Sequence, residues 1–277
     1  PILILGASSI AVSIYLSSDV ILLRVFKGEY EIGLYTNASK IYMIVKQLLN
    51  SLVIVAVPQL TQLLSLGNKR DYTLKLSYIY RSLILLIFPC ATGLICLSRE
   101  INVLIGGEEF ADSERVLQIL SIALFFAVIA CFYANLVLII SKKEKYFMYG
   151  TIISAVINIV LNLFFIPLWG ENGAAITTLI AEMCIFAYLY YYSRKECKLF
   201  DVVGTVVKSL IGCCGIALIC TTMKSLVGDH NLISIIVSVL MSIIVYIILL
   251  CLLKEKIAVN EIRKTWNRLK DFDACCN

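Results

Sequence analysis

An all-α, polytopic transmembrane helix bundle is what this 277-residue sequence predicts. Three observations carry it: eight long apolar runs joined by short polar loops, a composition 60% hydrophobic, and a mean hydropathy of +0.91. Each run is about 20 residues, so a helix through it rises about 30 Å, the thickness of a bilayer's hydrocarbon core. Backbone in lipid must satisfy its own hydrogen bonds, and of the two structures that do so only helices fit such runs. A soluble fold would leave much of this apolar surface with nowhere to go.

The runs are 2–23, 35–60, 78–97, 116–140, 146–168, 174–192, 202–223 and 232–253. Polar groups inside them are informative because each is expensive in lipid and faces a cavity or a partner. In the first run Asp19 shares a face with Ser8 and Tyr15. In the second, Thr36, Lys40, Gln47 and Asn50 lie along one broad face, with Tyr42 and Lys46 to its side. The third carries Arg81 and the fourth Asn135. In the fifth, Ser154, Asn158 and Asn162 repeat at i, i+4, i+8, and in the sixth Ala174, Thr178 and Glu182 do the same. Pro58 and Pro89 are expected to bend or break their helices.

Depth brings some of these residues together. Asp19, Asn162 and Thr178 each lie about one turn from a helix end on the same side of the membrane. With Asn158 they form an oxygen cage suited to a hard monovalent cation, although polar residues that merely glue helices together account for the same pattern. Glu182, nearer the middle, either carries a proton or is a buried hydrogen-bonded carboxyl. Lys40 and Lys46 lining one wet cavity would suit a phosphate or pyrophosphate, with Gln47, Asn50, Arg81 and Asn135 as further substrate contacts. Snorkelling explains Lys40 equally well.

Loop charges predict the orientation. With residue 1 taken as cytoplasmic, the inner loops hold Lys69, Arg70, Lys75, Lys142, Lys143, Lys145, Arg194, Lys195 and Lys198, and the tail adds six more cations. The outer loops hold only Arg24, Lys27, Arg99, Arg115 and Lys224, so both termini are expected inside. The net charge of +5 therefore reflects inner loops, not a nucleic-acid surface. The 254–277 tail, with Ile257, Ile262, Trp266 and Leu269 among basic residues, reads as an amphipathic inner-leaflet helix or a solvated tail. The chain opens on Pro1 and enters a helix almost at once, so a fragment, or a protein that has lost an N-terminal half, is expected.

Enzyme chemistry finds no support in the pattern. Gly106-Gly107-Glu108-Glu109-Phe110 matches a diguanylate cyclase signature, but a short loop between spans cannot hold a nucleotide-binding domain; a glycine turn followed by a helix start explains it. The sole histidine, His230, sits beside Asp229 in a turn. Most of the 11 cysteines lie inside apolar runs as small hydrophobes. Cys96 has no evident partner, and neither a disulfide nor a structural metal is expected.

A family resemblance rests on Ser18-Asp19-Val20-Ile21-Leu22, on the stretch from Gly33 to Tyr42, and on Pro58-Gln59-Leu60. It rests further on Lys142-Lys143-Glu144-Lys145, on Asn158 to Asn162, and above all on the stretch from Ile166 to Thr178. In their order and spacing these resemble the C-terminal part of a polysaccharide (O-antigen, Wzx-type) flippase of the multidrug/oligosaccharidyl-lipid/polysaccharide exporter superfamily. That implies helices seven to fourteen of a fourteen-helix transporter: the second six-helix lobe over 1–196, a terminal helix pair over 197–253, and a cytoplasmic basic tail. The N-terminal lobe would be missing from this chain. By the same resemblance, Na⁺ in related lipid II flippases maps onto Asp19, Asn158, Asn162, the Ala174 carbonyl and Thr178, except that position 162 is an amide where the pattern has a carboxylate. The coupling ion is then Na⁺ or H⁺, and no other cofactor is implied.

The implied activity is inner-membrane flipping of a polyprenyl-pyrophosphate-linked oligosaccharide by alternating access, without covalent chemistry. Implied partners are that lipid, the bilayer, the missing lobe and other polysaccharide-assembly membrane proteins. A lipid II flippase, a multidrug antiporter, a polymerase or ligase of polysaccharide assembly, and a remnant that scaffolds partners are the alternatives. Two lysines argue against an antiporter for cationic drugs, and short outer loops argue against the enzyme.

Overall fold

The computed structural model describes Gly6, residues 17–227 and residues 232–260. Within these the chain is helical, as the apolar runs require. Helix α1 is described over 17–26; Gly28, at φ 108°, turns it into α2 (Glu29–Ser65). Then come α3 (Lys69–Cys96), the short α4 (Ser98–Gly106), a 3₁₀ turn (Glu108–Ser113) and α5 (Glu114–Phe132). Helix α6 (Glu144–Ser193), α7 (Val202–Val227) and α8 (Leu232–Leu252) complete the described elements. Among them, six helices are long and apolar enough to cross a membrane. Ser8, Tyr15, Asp229, His230 and the tail beyond 260 lie outside the described residues.

Helix α5 is the centre of the bundle. Val116, Leu117, Leu120, Leu124 and Val128 are fully buried against α2, α3 and α6. Its end widens into a π turn (Tyr133–Ile139). Helices α2 and α3 run on through Pro58 and Pro89 without a break. The Gly-Gly-Glu-Glu-Phe string is structural: Gly107 turns at φ 95°, and the Phe110 ring seats against the bare Cα atoms of Gly106 and Gly33.

At 50 residues, α6 would be about 75 Å long if straight, more than twice the hydrocarbon core. It folds back instead. Gly170, at φ 54° and ψ −131°, joins two antiparallel arms, and Ser154 Oγ donates to the Ala181 carbonyl at 2.8 Å across them. Glycine suits this corner because L side chains rarely adopt this backbone conformation, and a Cβ there would also displace the Glu31 carboxylate, which accepts the Glu171 amide at 3.2 Å. Asn162 and Thr178 stand eight residues before and after Gly170, so the fold-back brings them level.

Helices α3 and α7 run parallel in constant register. Arg81 Nε donates to Thr205 Oγ1 at 2.8 Å, and Tyr246 hydroxyl bonds both the Leu85 carbonyl (2.9 Å) and Ser209 (2.7 Å); just past the end of α3, Glu100 in the first turn of α4 meets Lys224 Nζ at 2.8 Å. At the basic end of this pair a buried carboxylate ties in the residues after α8. Glu255, 1% exposed, takes Arg81 Nη2 at 2.6 Å and Lys208 Nζ at 2.8 Å. Burial raises the Glu255 carboxyl, but Lys208 and Arg81 more than offset that and hold it below its ordinary 4.5.

A depressed carboxyl contributes stability that is present above its unfolded pKa and lost as pH falls through the folded one. Glu255→Gln is therefore expected to lower stability by about 3 kcal/mol near neutral pH, because it strands two cations. The gap to wild type should close on acidification below 4.5. Thermal unfolding in detergent across pH checks this; a gap that does not change with pH would mean the carboxylate's charge is not used.

Candidate functional site

Near the Gly170 end, α1, α2 and both arms of α6 converge on one buried carboxylate. Asp19 is 2% exposed, and its oxygens are occupied by donors. Tyr35 hydroxyl donates to Oδ2 at 2.5 Å, Thr178 Oγ1 to the same oxygen at 3.2 Å, and Asn162 Nδ2 to Oδ1 at 2.6 Å. Asn162 Nδ2 also donates to Asn158 Oδ1 at 3.1 Å, and Ser18 Oγ reaches that oxygen at 3.4 Å. Thr177 Oγ1 donates to Asn162 Oδ1, and it lies 2.8 Å from the Ala174 carbonyl. Asp19, Asn158, Asn162, Ala174 and Thr178 are thus brought into one cluster.

Three members were not picked out as site residues from the sequence: Ser18, Tyr35 and Thr177. The available signal is general, since a hydroxyl inside an apolar run must find a partner. Neither periodicity nor depth says which partner.

The cluster's donor chemistry decides whether it accommodates Na⁺. It holds one carboxylate, and the Asn162 amide turns its NH₂ group, not its oxygen, toward Asp19 and Asn158. As arranged, the residues do not fit a cation: the amide's positive end stands in the middle of the oxygens. Reversing that amide would aim Oδ1 inward and leave Nδ2 facing Thr177. Asn158 Nδ2 is buried without a hydrogen-bond partner among the described residues.

Deeper in the bundle, Lys46 Nζ lies 2.6 Å from Glu182 Oε1, and the Tyr42 hydroxyl donates to the same oxygen at 3.3 Å. The ammonium also stands 5.3 Å from the centre of the Tyr42 ring. Lys46 is therefore not a bare cation; it shares its charge with Glu182. Lys40 and Gln47 are exposed, and with Ile44 and Ser51 they line one uncovered face of α2. Asn50, half-buried, leaves its Oδ1 without a partner among the described residues. Arg81 is committed to Thr205 and Glu255, away from this face, and Asn135 turns its amide onto the Cys131 carbonyl at 3.0 Å.

Several known proteins are similar to this chain in sequence or fold. A flippase from Haloferax volcanii, described as the probable low-salt glycan biosynthesis flippase Agl15, is 24% identical over 243 residues, covering 86% of this chain and 50% of that protein. The fold matches lipid II flippase MurJ in an inward closed conformation, with a TM-score of 0.71 and 21% identity over 89% of this chain and 51% of that one. It also matches a transporter of the MOP superfamily from Pyrococcus furiosus, with a TM-score of 0.61 and 14% identity over 89% and 60% of the two chains. The chain spans about half the length of the curated relative it matches. The family model described as "Lipid II flippase MurJ" matches residues 10–246, nearly the whole bundle, and the chain belongs to that family of multi-pass membrane flippases.

Proposed function

We propose that this chain is the second lobe and terminal helix pair of a flippase that moves a polyprenyl-pyrophosphate-linked oligosaccharide across the cytoplasmic membrane for surface polysaccharide synthesis, in the manner of an O-antigen (Wzx-type) transporter. The observation that carries the reading is the uncovered face of α2. Lys40 and Gln47 stand on it beside Ile44, and the Lys46–Glu182 pair lies just behind. Such a face fits a cavity shared with a preceding six-helix lobe. The basic loops favour both ends of this chain in the cytoplasm.

On this reading Lys40 and Lys46 draw the pyrophosphate, and Lys46 exchanges Glu182 for it when substrate enters. Asp19 couples transport by changing its charge state as the lobes rock about the cavity. With the Asn162 amide standing as it does, the coupling cation is a proton; Na⁺ takes that role only with the amide reversed. The activity is transport, with no bond made or broken. The name of the matched family favours lipid II as a second substrate, and it shares the polyprenyl-pyrophosphate anchor chemistry.

The test is flipping by protein expressed from its full coding region and reconstituted in vesicles. A labelled polyprenyl-pyrophosphate oligosaccharide and lipid II are offered separately, under imposed Na⁺ and pH gradients. Oligosaccharide flipping driven by the pH gradient is expected. Flipping of lipid II alone would replace the substrate, and flipping of neither would overturn the reading.

A further inference from the structure

The constant register of α3 and α7 places two thiols opposite each other. Arg81 bonds Thr205, Leu85 and Ser209 share the Tyr246 hydroxyl, and Glu100 bonds Lys224; the separations 205 − 81, 209 − 85 and 224 − 100 are all 124. The same offset sets Cys220 against Cys96, one helical turn before the Glu100–Lys224 ion pair. Cys96 packs on the apolar cluster that contains Cys220. We infer that Cys96 and Cys220 are a redox-active pair that closes to a disulfide, a modification site that pins the terminal helix pair to the second lobe.

Exposure assigns the order of events. Cys220 is 1% exposed and also contacts Ser242 at 3.6 Å, while Cys96 is half-buried and open to attack. Lys224, held by Glu100 at 2.8 Å, sets an ammonium one helical turn beyond Cys220 on the same helix. The co-reactant is a small disulfide. The Cys96 thiolate attacks one of its sulfurs, forming a mixed disulfide and releasing one thiol. Cys220, losing its proton, then attacks Cys96 sulfur and releases the second thiol. The protein gives up two electrons and two protons, and the small disulfide becomes two thiols. In the orientation proposed above, this rung lies at the outer face, where thiols are not kept reduced.

The experiment uses the intact protein in membranes. It is exposed to a permeant small disulfide, free thiols are alkylated, and the digest is read by mass spectrometry. A peptide joining Cys96 to Cys220 is expected on most chains, lost on reduction and absent from Cys96→Ser, with unlinked Cys131 as internal reference. Separate alkylation of Cys96 and Cys220 after oxidation would overturn the inference. A second variant, Glu100→Cys with Lys224→Cys in a Cys96→Ser, Cys220→Ser background, reads the register independently. Its cross-linking without that of the native pair would reject the site but keep the register, and failure of both would reject the ladder itself. Serine variants that elute as single species in detergent exclude misfolding as the cause.

Discussion

Glu182→Gln is expected to destabilise the bundle by about 3–5 kcal/mol, because it leaves the Lys46 ammonium without its carboxylate. The pair is 2.6 Å long, with side chains 21% and 9% exposed, so water can replace little of what is lost. Lys46→Met alone strands the Glu182 carboxylate and should cost a similar amount. The double variant Lys46→Met, Glu182→Gln removes both charges, and most of the stability should return. Thermal unfolding of the four proteins in detergent closes this cycle. A double variant as unstable as either single one would show that the two groups are not coupled.

Transport separates structure from function at the same pair. A double variant that is stable yet does not flip substrate would support a role for the lysine in handling pyrophosphate. A double variant that is stable and fully active would reduce the pair to a structural contact and leave Lys40 as the proposed anchor of the phosphate.

Asn162→Asp is expected to create a dependence on Na⁺ that the wild type lacks. The amide now donates to Asp19 at 2.6 Å; a carboxylate in its place would set two like charges within hydrogen-bond distance. Both cannot ionise there unless a cation stands between them. Without Na⁺ the variant should be less stable than wild type. With Na⁺ a hundredfold above its dissociation constant, about 2.7 kcal/mol should be regained. Melting in sodium against potassium or choline salts measures it. Equal stabilisation of wild type by sodium would mean that the wild-type amide does not keep the ion out, and proton coupling would be withdrawn.

Much of the fold was legible in the residues. Runs of about 20 apolar residues must be helices in lipid, since no other open structure satisfies the backbone there. The cluster around Asp19 was legible for a related reason. A polar group costs so much at depth that Asp19, Asn158, Asn162 and Thr178 stood out by position alone, and helical spacing put them on common faces. What spacing cannot give is direction. Nothing in the letters says that Asn162 presents its amide nitrogen, that Tyr35 reaches Asp19, or that Lys46 is spoken for by Glu182.

By itself, then, the sequence determined the class of solvent, the helical order and which polar groups need partners, because those follow from the cost of burying a backbone or a charge in hydrocarbon. Tertiary structure alone decided who the partners are. Gly170 reverses α6 and brings Asn162 level with Thr178, and the parallel register of α3 and α7 matches Arg81 to Thr205 and Cys96 to Cys220 across 124 residues. The physical reason is one of range. Desolvation cost is a property of each residue and its near neighbours along one helix. The pairing that offsets it depends on how helices far apart in sequence are rotated and staggered against one another.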